Sequence, residues 1–301
     1  MTTVYAIVLN YNSADTIVDC VRALFRTHTH IAPDTTPSID LRIVVVDNNS
    51  TDDSFAKVRA QFPRAEYIKN AQNVGFAAGN NVGVRFALEH GADYVVLINS
   101  DAIVTPTTIT ALIDVAQNMP TPSILCPQIL TPCGATWYAG ARVDYRRMRI
   151  THTTHVPEKG AANTLPTDIA TGCVMSIHKD VFAKIGLLNE SYFLYYEDAD
   201  FSVCARRAGI SIAVVPRATA VHHEVSERAA RKPLKIYWLV LSGLLFCTAH
   251  APRLYKLFYT FLIPLRRFKA LLLPRDRRAA HHVRRAFADF PTAKQHYVRH
   301  C

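Results

Sequence analysis

Three places in this sequence gather the side chains from which a reactive site is built. The short apolar run Tyr94–Ile98 stops at Asn99, Ser100 and Asp101, and a second run, Leu41–Val46, stops at Asp47, Asn48, Asn49 and Ser50. Further on, Glu197, Asp198 and Asp200 crowd three acids into four positions. Short runs rich in Val and Ile read as strands buried on both faces, so Asp101 and Asp47 stand at strand carboxyl ends. In open α/β sheets the ligand crevice lies beyond those ends, where a carboxylate meets a ligand or a metal ion. The plainer alternative for Asp101 is a cap on a helix starting at Pro106. The 197–200 cluster argues for chemistry, because a cap needs one carboxylate and crowded acids repel one another unless a cation, a donor or function holds them. His222 and His223 add imidazoles of the kind that bind metals, although such a pair is also ordinary on a surface.

The elements that must position these groups alternate. Val4–Leu9 reads as a strand ending at Asn10, Tyr11 and Asn12, with Ser13 placed to cap a helix carrying Ile17, Val18, Val21 and Leu24 at helical spacing. After a loop containing Pro33 and Pro37 comes the Leu41–Val46 strand, then a helix opened by Asp52 and Asp53, whose charge suits its positive end. Asn73, Gly75, Gly79 and Asn80 open another helix, ending near Gly91, where small residues would admit either a ligand or a close-packed neighbour. The Tyr94–Ile98 strand follows, then a helix over 106–119 and a strand over 123–126. Residues 131–170, with Arg142, Arg146, Arg147 and Arg149, take no assignment from pattern; they suit an acceptor-facing loop or a solvated edge. Thr171, Gly172 and Cys173 lead into a strand at Val174–Ile177 and a helix from Asp180 to Ile185. Asp198 can cap a helix buried through Phe201, Cys204 and Ala205, and a last strand, Ile212–Val215, stops at Pro216. Strands alternating with helices imply an α/β fold around a mostly parallel sheet.

Half of the 301 residues are hydrophobic and only 19% are charged, which excludes a disordered chain. The formal charge of +10 belongs to one end: residues 226–301 hold 16 Lys and Arg against 3 Asp and Glu, and residues 1–225 hold 18 against 21. Seven cysteines without CxxC spacing read as small buried residues of a reducing compartment, not as a disulfide framework or zinc site. The first apolar run is too short for a signal peptide, and no basic segment precedes it, so a cytoplasmic location is expected.

Taken together, Asn10–Asn12, Asp47–Ser50, Asn73–Asn81, Asn99–Asp101, Thr171–Cys173, the acidic cluster and His222 occur in the order and spacing of a family 2 glycosyltransferase. The chain most resembles the rhamnosyltransferase-like branch, over roughly residues 3–247. The resemblance implies a GT-A fold, a Rossmann-like sheet flanked by helices, over residues 1–225, and an inverting transfer from a nucleoside diphosphate sugar, such as a rhamnosyl donor, to a glycan or lipid-linked acceptor in cell-envelope polysaccharide synthesis. It assigns Asn10, Tyr11, Asn12, Asp47, Asn48, Asn73, Gly75, Asn80, Asn99, Ser100 and Gly172 to the nucleotide-sugar pocket. Asp101 and His222 become ligands of Mn²⁺ or Mg²⁺, Asp198 the catalytic base, and Glu197 and Asp200 its acceptor-side supports. Asn99 stands where the family's metal motif has its first Asp, leaving one carboxylate fewer.

Residues 226–301 form a basic, partly apolar helical tail. Its apolar runs, 236–248 and 257–265, fall short of the about 20 residues a spanning helix needs, and Arg228, Arg231, Lys232, Lys235, Arg266, Arg267, Lys269, Arg275, Arg277 and Arg278 flank them. The tail therefore suits peripheral attachment to an anionic cytoplasmic membrane face, or packing on the domain with a solvated basic face. A nucleic-acid-binding protein would account for this tail but not for acids at three strand ends. A Rossmann dehydrogenase lacks support, because no GxGxxG follows the first strand. A sugar-nucleotide binder without activity is the remaining alternative.

Overall fold

The computed structural model describes residues 1–30, 39–156, 163–223, 233–272, 278–298 and 301. The loop with Pro33 and Pro37, and the basic residues Arg228, Arg231, Lys232, Arg275 and Arg277, lie outside the described residues. The chain runs β1 (Thr2–Asn10), α1 (Ile17–His30), β2 (Ile39–Asp47), α2 (Ser54–Gln61), β3 (Glu66–Lys69), α3 (Gly75–Glu89), β4 (Tyr94–Asn99), β5 (Ala102–Val104) and α4 (Thr108–Gln117). It continues through β6 (Ser123–Leu130), β7 (Thr136–Tyr138), β8 (Ala141–Asp144), β9 (Arg149–His152), β10 (Leu165–Pro166), β11 (Val174–His178), α5 (Lys179–Ile185), α6 (Glu197–Arg207) and β12 (Ser211–His222). Three tail helices follow: α7 (Pro233–His250), α8 (Arg253–Leu271) and α9 (Arg278–His296).

Ten strands form one sheet in the order β10-β12-β6-β11-β4-β1-β2-β3, with β5 on β12 and β7 on β6. The strands β4, β1, β2 and β3 are parallel, and so are β6 and β12. Their registers align Asn10 with Asp47 and Leu9 with Asn99, so the polar residues that end these strands share one edge. The apolar runs are buried as expected: Val95–Ile98 and Ile43–Val46 are each at most 4% exposed, because helices cover both faces of a parallel sheet.

Several local expectations change. Strand β11 enters antiparallel between β4 and β6, which brings its amino end, beside Thr171–Cys173, to the carboxyl end of β4; the Asn99 amide donates to the Cys173 carbonyl at 2.9 Å. Pro216 does not end the last strand. The chain shifts register between Val215 and Thr219 and resumes to His222, a bulge being one of the few places a sheet tolerates proline. Ser13 caps α1 through its backbone carbonyl, while its hydroxyl meets that of Ser100 at 2.8 Å. Residues 136–152, unassigned from pattern, form β7 and the β8–β9 hairpin. Cys204 and Cys301 are disulfide-bonded across 97 residues, contrary to an all-thiol reading. Cys20, Cys126, Cys173 and Cys247 do lie buried as free thiols.

Tail helix α7 packs against α6, with Leu241, Leu244, Leu245, Phe246 and Cys247 buried, and α9 covers it from outside. Phe193 stacks on Trp238 at 4.5 Å, and Phe246 lies 5.3 Å from Tyr196.

Candidate active site

A cavity of about 1060 Å³ opens where the sheet's carboxyl edge meets α6 and α7. Six of the expected site residues line it: Asn99, Asp101, Gly172, Glu197, Asp198 and His222. Asp101 follows β4, and His222 closes β12, paired to Ala102. This brings Asp101 Oδ1 to 3.2 Å from His222 Nε2, both side chains remaining partly accessible. Trp137 lies 5.0 Å from the imidazole, and His222 Nδ1 is buried without a partner, so Asp101 and the indole hold the ring.

Asp198 does not cap α6. The cap position is Tyr196, and both it and Tyr195 have φ of +69°, a left-handed backbone unusual for bulky side chains. Such outliers persist where the surroundings impose them, and they cluster at functional sites. Here Tyr196 is wedged against Phe246 and Gly243, where a Cβ would sit 3.1 Å from the phenol oxygen. The turn places Glu197 and Asp198 in the first turn of α6. Asp198 accepts hydrogen bonds from the Gly172 amide at 2.9 Å and the Ala199 amide at 2.7 Å.

Burial raises the pKa of both acids, of Asp198 against the pull of its two amide donors and of Glu197 well above the usual range, with the Asp198 charge adding to the latter. Glu197 is 5% exposed and its Oε2 has no partner. The two amide donors on Asp198 oppose its rise, whereas Glu197 Oε2 has no donor to do so.

Asp200 corrects the expectation of a base-supporting acid. One helical step round from the cavity, it accepts from His250 Nε2 at 2.6 Å, Tyr297 at 2.6 Å and Tyr192 at 3.1 Å, and is 1% exposed. It ties α6 to the tail.

The other expected pocket residues form a separate polar rim at the ends of β1 and β2. Asn10 Nδ2 donates to Asp47 at 2.8 Å, to Ser50 and to Ser54, and Asn48 Nδ2 donates to Asn73 and to the Gly75 carbonyl. Asn12, at φ +51°, accepts from the Thr51 amide. Tyr11 projects from this rim 47% exposed. Gly75, at φ +87°, has its missing Cβ replaced by the Phe193 carbonyl, and Asn80 turns inward to the Phe76 carbonyl. Gly75 serves the closure of the 193 loop onto α3, where the Phe76 amide donates to the Phe193 carbonyl at 2.7 Å, while the Asn80 bond stays within α3. Sequence reasoning missed Trp137, Tyr195 and Tyr196 and the cavity-lining cations Lys235, Arg266 and Lys269. The Tyr195-Tyr196 pair immediately before the acids was the available signal.

The profile of glycosyl transferase family 2 matches residues 5–186. The chain belongs to that family. The family 2 chain is 31% identical over 182 residues to the low-salt glycan biosynthesis hexosyltransferase Agl10 of Haloferax volcanii, covering 60% of this chain and 58% of that protein. It is 23% identical over 203 residues to an N-acetylglucosaminyl-diphospho-decaprenol L-rhamnosyltransferase of Mycobacterium tuberculosis (60% and 66% covered). It is 25% identical over 180 residues to the dTDP-rhamnosyl transferase RfbF of Shigella flexneri (60% and 59%). These matches span between 58% and 66% of each relative. Among solved structures, GalNAc-T7 with UDP, GalNAc and Mn²⁺ superposes over 99% of this chain and 58% of its own with a TM-score of 0.67 at 14% identity. TarS of S. aureus with UDP-GlcNAc does so over 97% and 81% with a TM-score of 0.55 at 15%. Both likenesses establish the GT-A fold.

The donor set fits a divalent cation in part. One carboxylate and one imidazole converge, but among the described residues no group of three His, Cys, Asp or Glu could hold a metal, so a bound ion would need oxygens from a ligand.

Proposed function

We propose that this cavity transfers a sugar from a nucleoside diphosphate sugar to a hydroxyl of a glycan or lipid-linked acceptor, inverting the anomeric carbon, in cell-envelope polysaccharide synthesis at the cytoplasmic side of a membrane. The observation that carries the reading is a single cavity holding Asp101 beside His222 on one wall and the amide-oriented Asp198 on another. The relatives named as rhamnosyltransferases make a rhamnosyl donor the first to test.

In this reading the rim of Asn10, Tyr11, Asn12, Asp47, Asn48, Asn73, Gly75 and Asn80 shapes the nucleoside end, with Asp47 toward the base or ribose. Asn99, Ser100 and Gly172 border the diphosphate and sugar. A divalent cation, Mn²⁺ or Mg²⁺, held by Asp101 and His222 would act as a Lewis acid on the departing diphosphate. Asp198 takes the proton of the acceptor hydroxyl as it attacks from the opposite face. Its two amide donors fix the carboxylate's direction, and its raised pKa strengthens it as a base. Burial favours the protonated form of Glu197, which would spare the site a second negative charge.

The test is thermal unfolding with Mn²⁺ and a panel of UDP-, GDP- and dTDP-sugars, followed by transfer assays with the protective donor. One nucleotide class should protect. Protection by none would sink the reading, and protection without transfer from any acceptor would leave the non-catalytic binder.

A further inference from the structure

Helix α8 (Arg253–Leu271) turns its larger apolar face outward. Tyr259 and Ala270 are buried beneath it, whereas Leu254, Leu257, Phe258, Phe261, Leu265 and Phe268 are exposed. Their spacing of three and four residues aligns them in one stripe along the helix, which Leu272 continues. Leu254 is 75% exposed and Phe261 78%, and these seven side chains are more than half of the twelve large exposed apolar side chains among the described residues. A contiguous patch of this kind marks a contact surface, where scattered ones would not.

The surrounding charge narrows the occupant. The helix carries Arg253, Lys256, Arg266, Arg267 and Lys269 and no acid. Arg253, Arg267 and Lys269 are exposed beside the stripe. A partner must therefore be apolar within and anionic at its margin. A second copy docked face to face through this helix would bring further cations and no acid of the helix to that margin. No helix among the described residues is long and apolar enough to cross a membrane.

We propose that α8 lies in the interface of a bilayer containing anionic lipids, the stripe among acyl chains and Arg253 and Arg267 among lipid phosphates. The inner side of the same helix bears on the cavity, which Arg266, Lys269 and Ala270 help to line. Docking therefore sets the cavity mouth at the lipid surface, and an acceptor carried on a lipid phosphate reaches Asp198 without leaving the bilayer. That last step rests on the sugar-transfer reading; the docking does not.

The experiment uses the full chain with vesicles of phosphatidylcholine alone or mixed with phosphatidylglycerol, with no donor or metal added. The chain should sediment with the mixed vesicles at low salt and be released at high salt, since screening shortens the attraction. Phe261→Glu combined with Phe268→Glu should cut the bound fraction at least tenfold while leaving the unfolding temperature unchanged, because both side chains are exposed. Phe261→Trp should show blue-shifted emission on mixed vesicles only. Asp198→Asn should bind vesicles like the parent chain, so loss of transfer and loss of docking are separable. Absence of binding by the parent chain, equal binding by the double variant, or a stripe-dependent dimer in place of vesicle binding would overturn the proposal.

Discussion

At the ends of β1 and β2 the polar side chains bond chiefly to one another: Asn10 to Asp47, Ser50 and Ser54, and Asn48 to Asn73 and Asn70. In the neighbouring cavity, Glu197 Oε2 and His222 Nδ1 are buried without partners and Asp198 depends on two backbone amides. Both regions are polar and lie on the same sheet edge, and although Asn10 Oδ1 is also buried without a partner, the side chains of the first hold one another, whereas those of the second rely on backbone amides and ring contacts. Satisfied networks fix geometry, whereas buried groups lacking partners are held at a cost that only the rest of the fold or a ligand offsets. Under the proposed function the rim would be framework for the nucleoside end and the cavity the place where the proton is taken.

The sharpest way to break this contrast is Asp198→Asn, which keeps shape and one hydrogen-bonding oxygen but cannot take a proton. Turnover should fall about 1000-fold with donor protection in thermal unfolding nearly intact, and near-normal turnover would remove Asp198 from its role. Asp200→Ala should behave oppositely. It strips the common acceptor from His250, Tyr192 and Tyr297, so urea unfolding should show a loss of about 3 kcal/mol, measured at fixed redox state to keep the Cys204–Cys301 bond intact.

Asp101→Ala and His222→Ala should each weaken Mn²⁺-dependent donor binding roughly tenfold by calorimetry, about 1.4 kcal/mol, while leaving metal-free stability close to the parent. Unchanged affinity in both would move the cation elsewhere. The smallest effect belongs to Glu197→Gln. A carboxyl whose pKa is raised by burial favours the folded state below its ordinary pKa, and that contribution is lost as pH rises through the raised value. The Gln variant, unable to ionise, should gain in unfolding temperature relative to the parent as pH rises from 4 to 8. It should also keep most of its turnover, and a gap that narrows with pH would show that Glu197 is charged in the fold.

Much of this was legible in the sequence because it is local. The β-branched runs, the helical spacing of Ile17, Val21 and Leu24, and the αL residue Gly91 after α3 follow from backbone sterics and side-chain period, which neighbours in sequence settle. The alignment of Asn10, Asp47 and Asn99 on one edge was also foreshadowed, since polar residues ending parallel strands must share an edge, whereas Gly172 and Asp198 reach the cavity through antiparallel β11 and helix α6. Local pattern could not show that β11 runs antiparallel, that Trp137 reaches His222, or that Cys204 meets Cys301, because each joins segments distant in the chain through one shared core. The sharpest case is the pair Asp198 and Asp200. Two residues apart on one helix, they point to different sides of it, so the cavity and the tail, not the local sequence, decide that one stays available for chemistry while the other is consumed in packing. The tail shows the same division: the spacing of its Leu and Phe residues is written in the sequence, but which of those faces is covered by neighbouring helices and which meets solvent was decided only by the packing of α7 on α6, with α8 outside it.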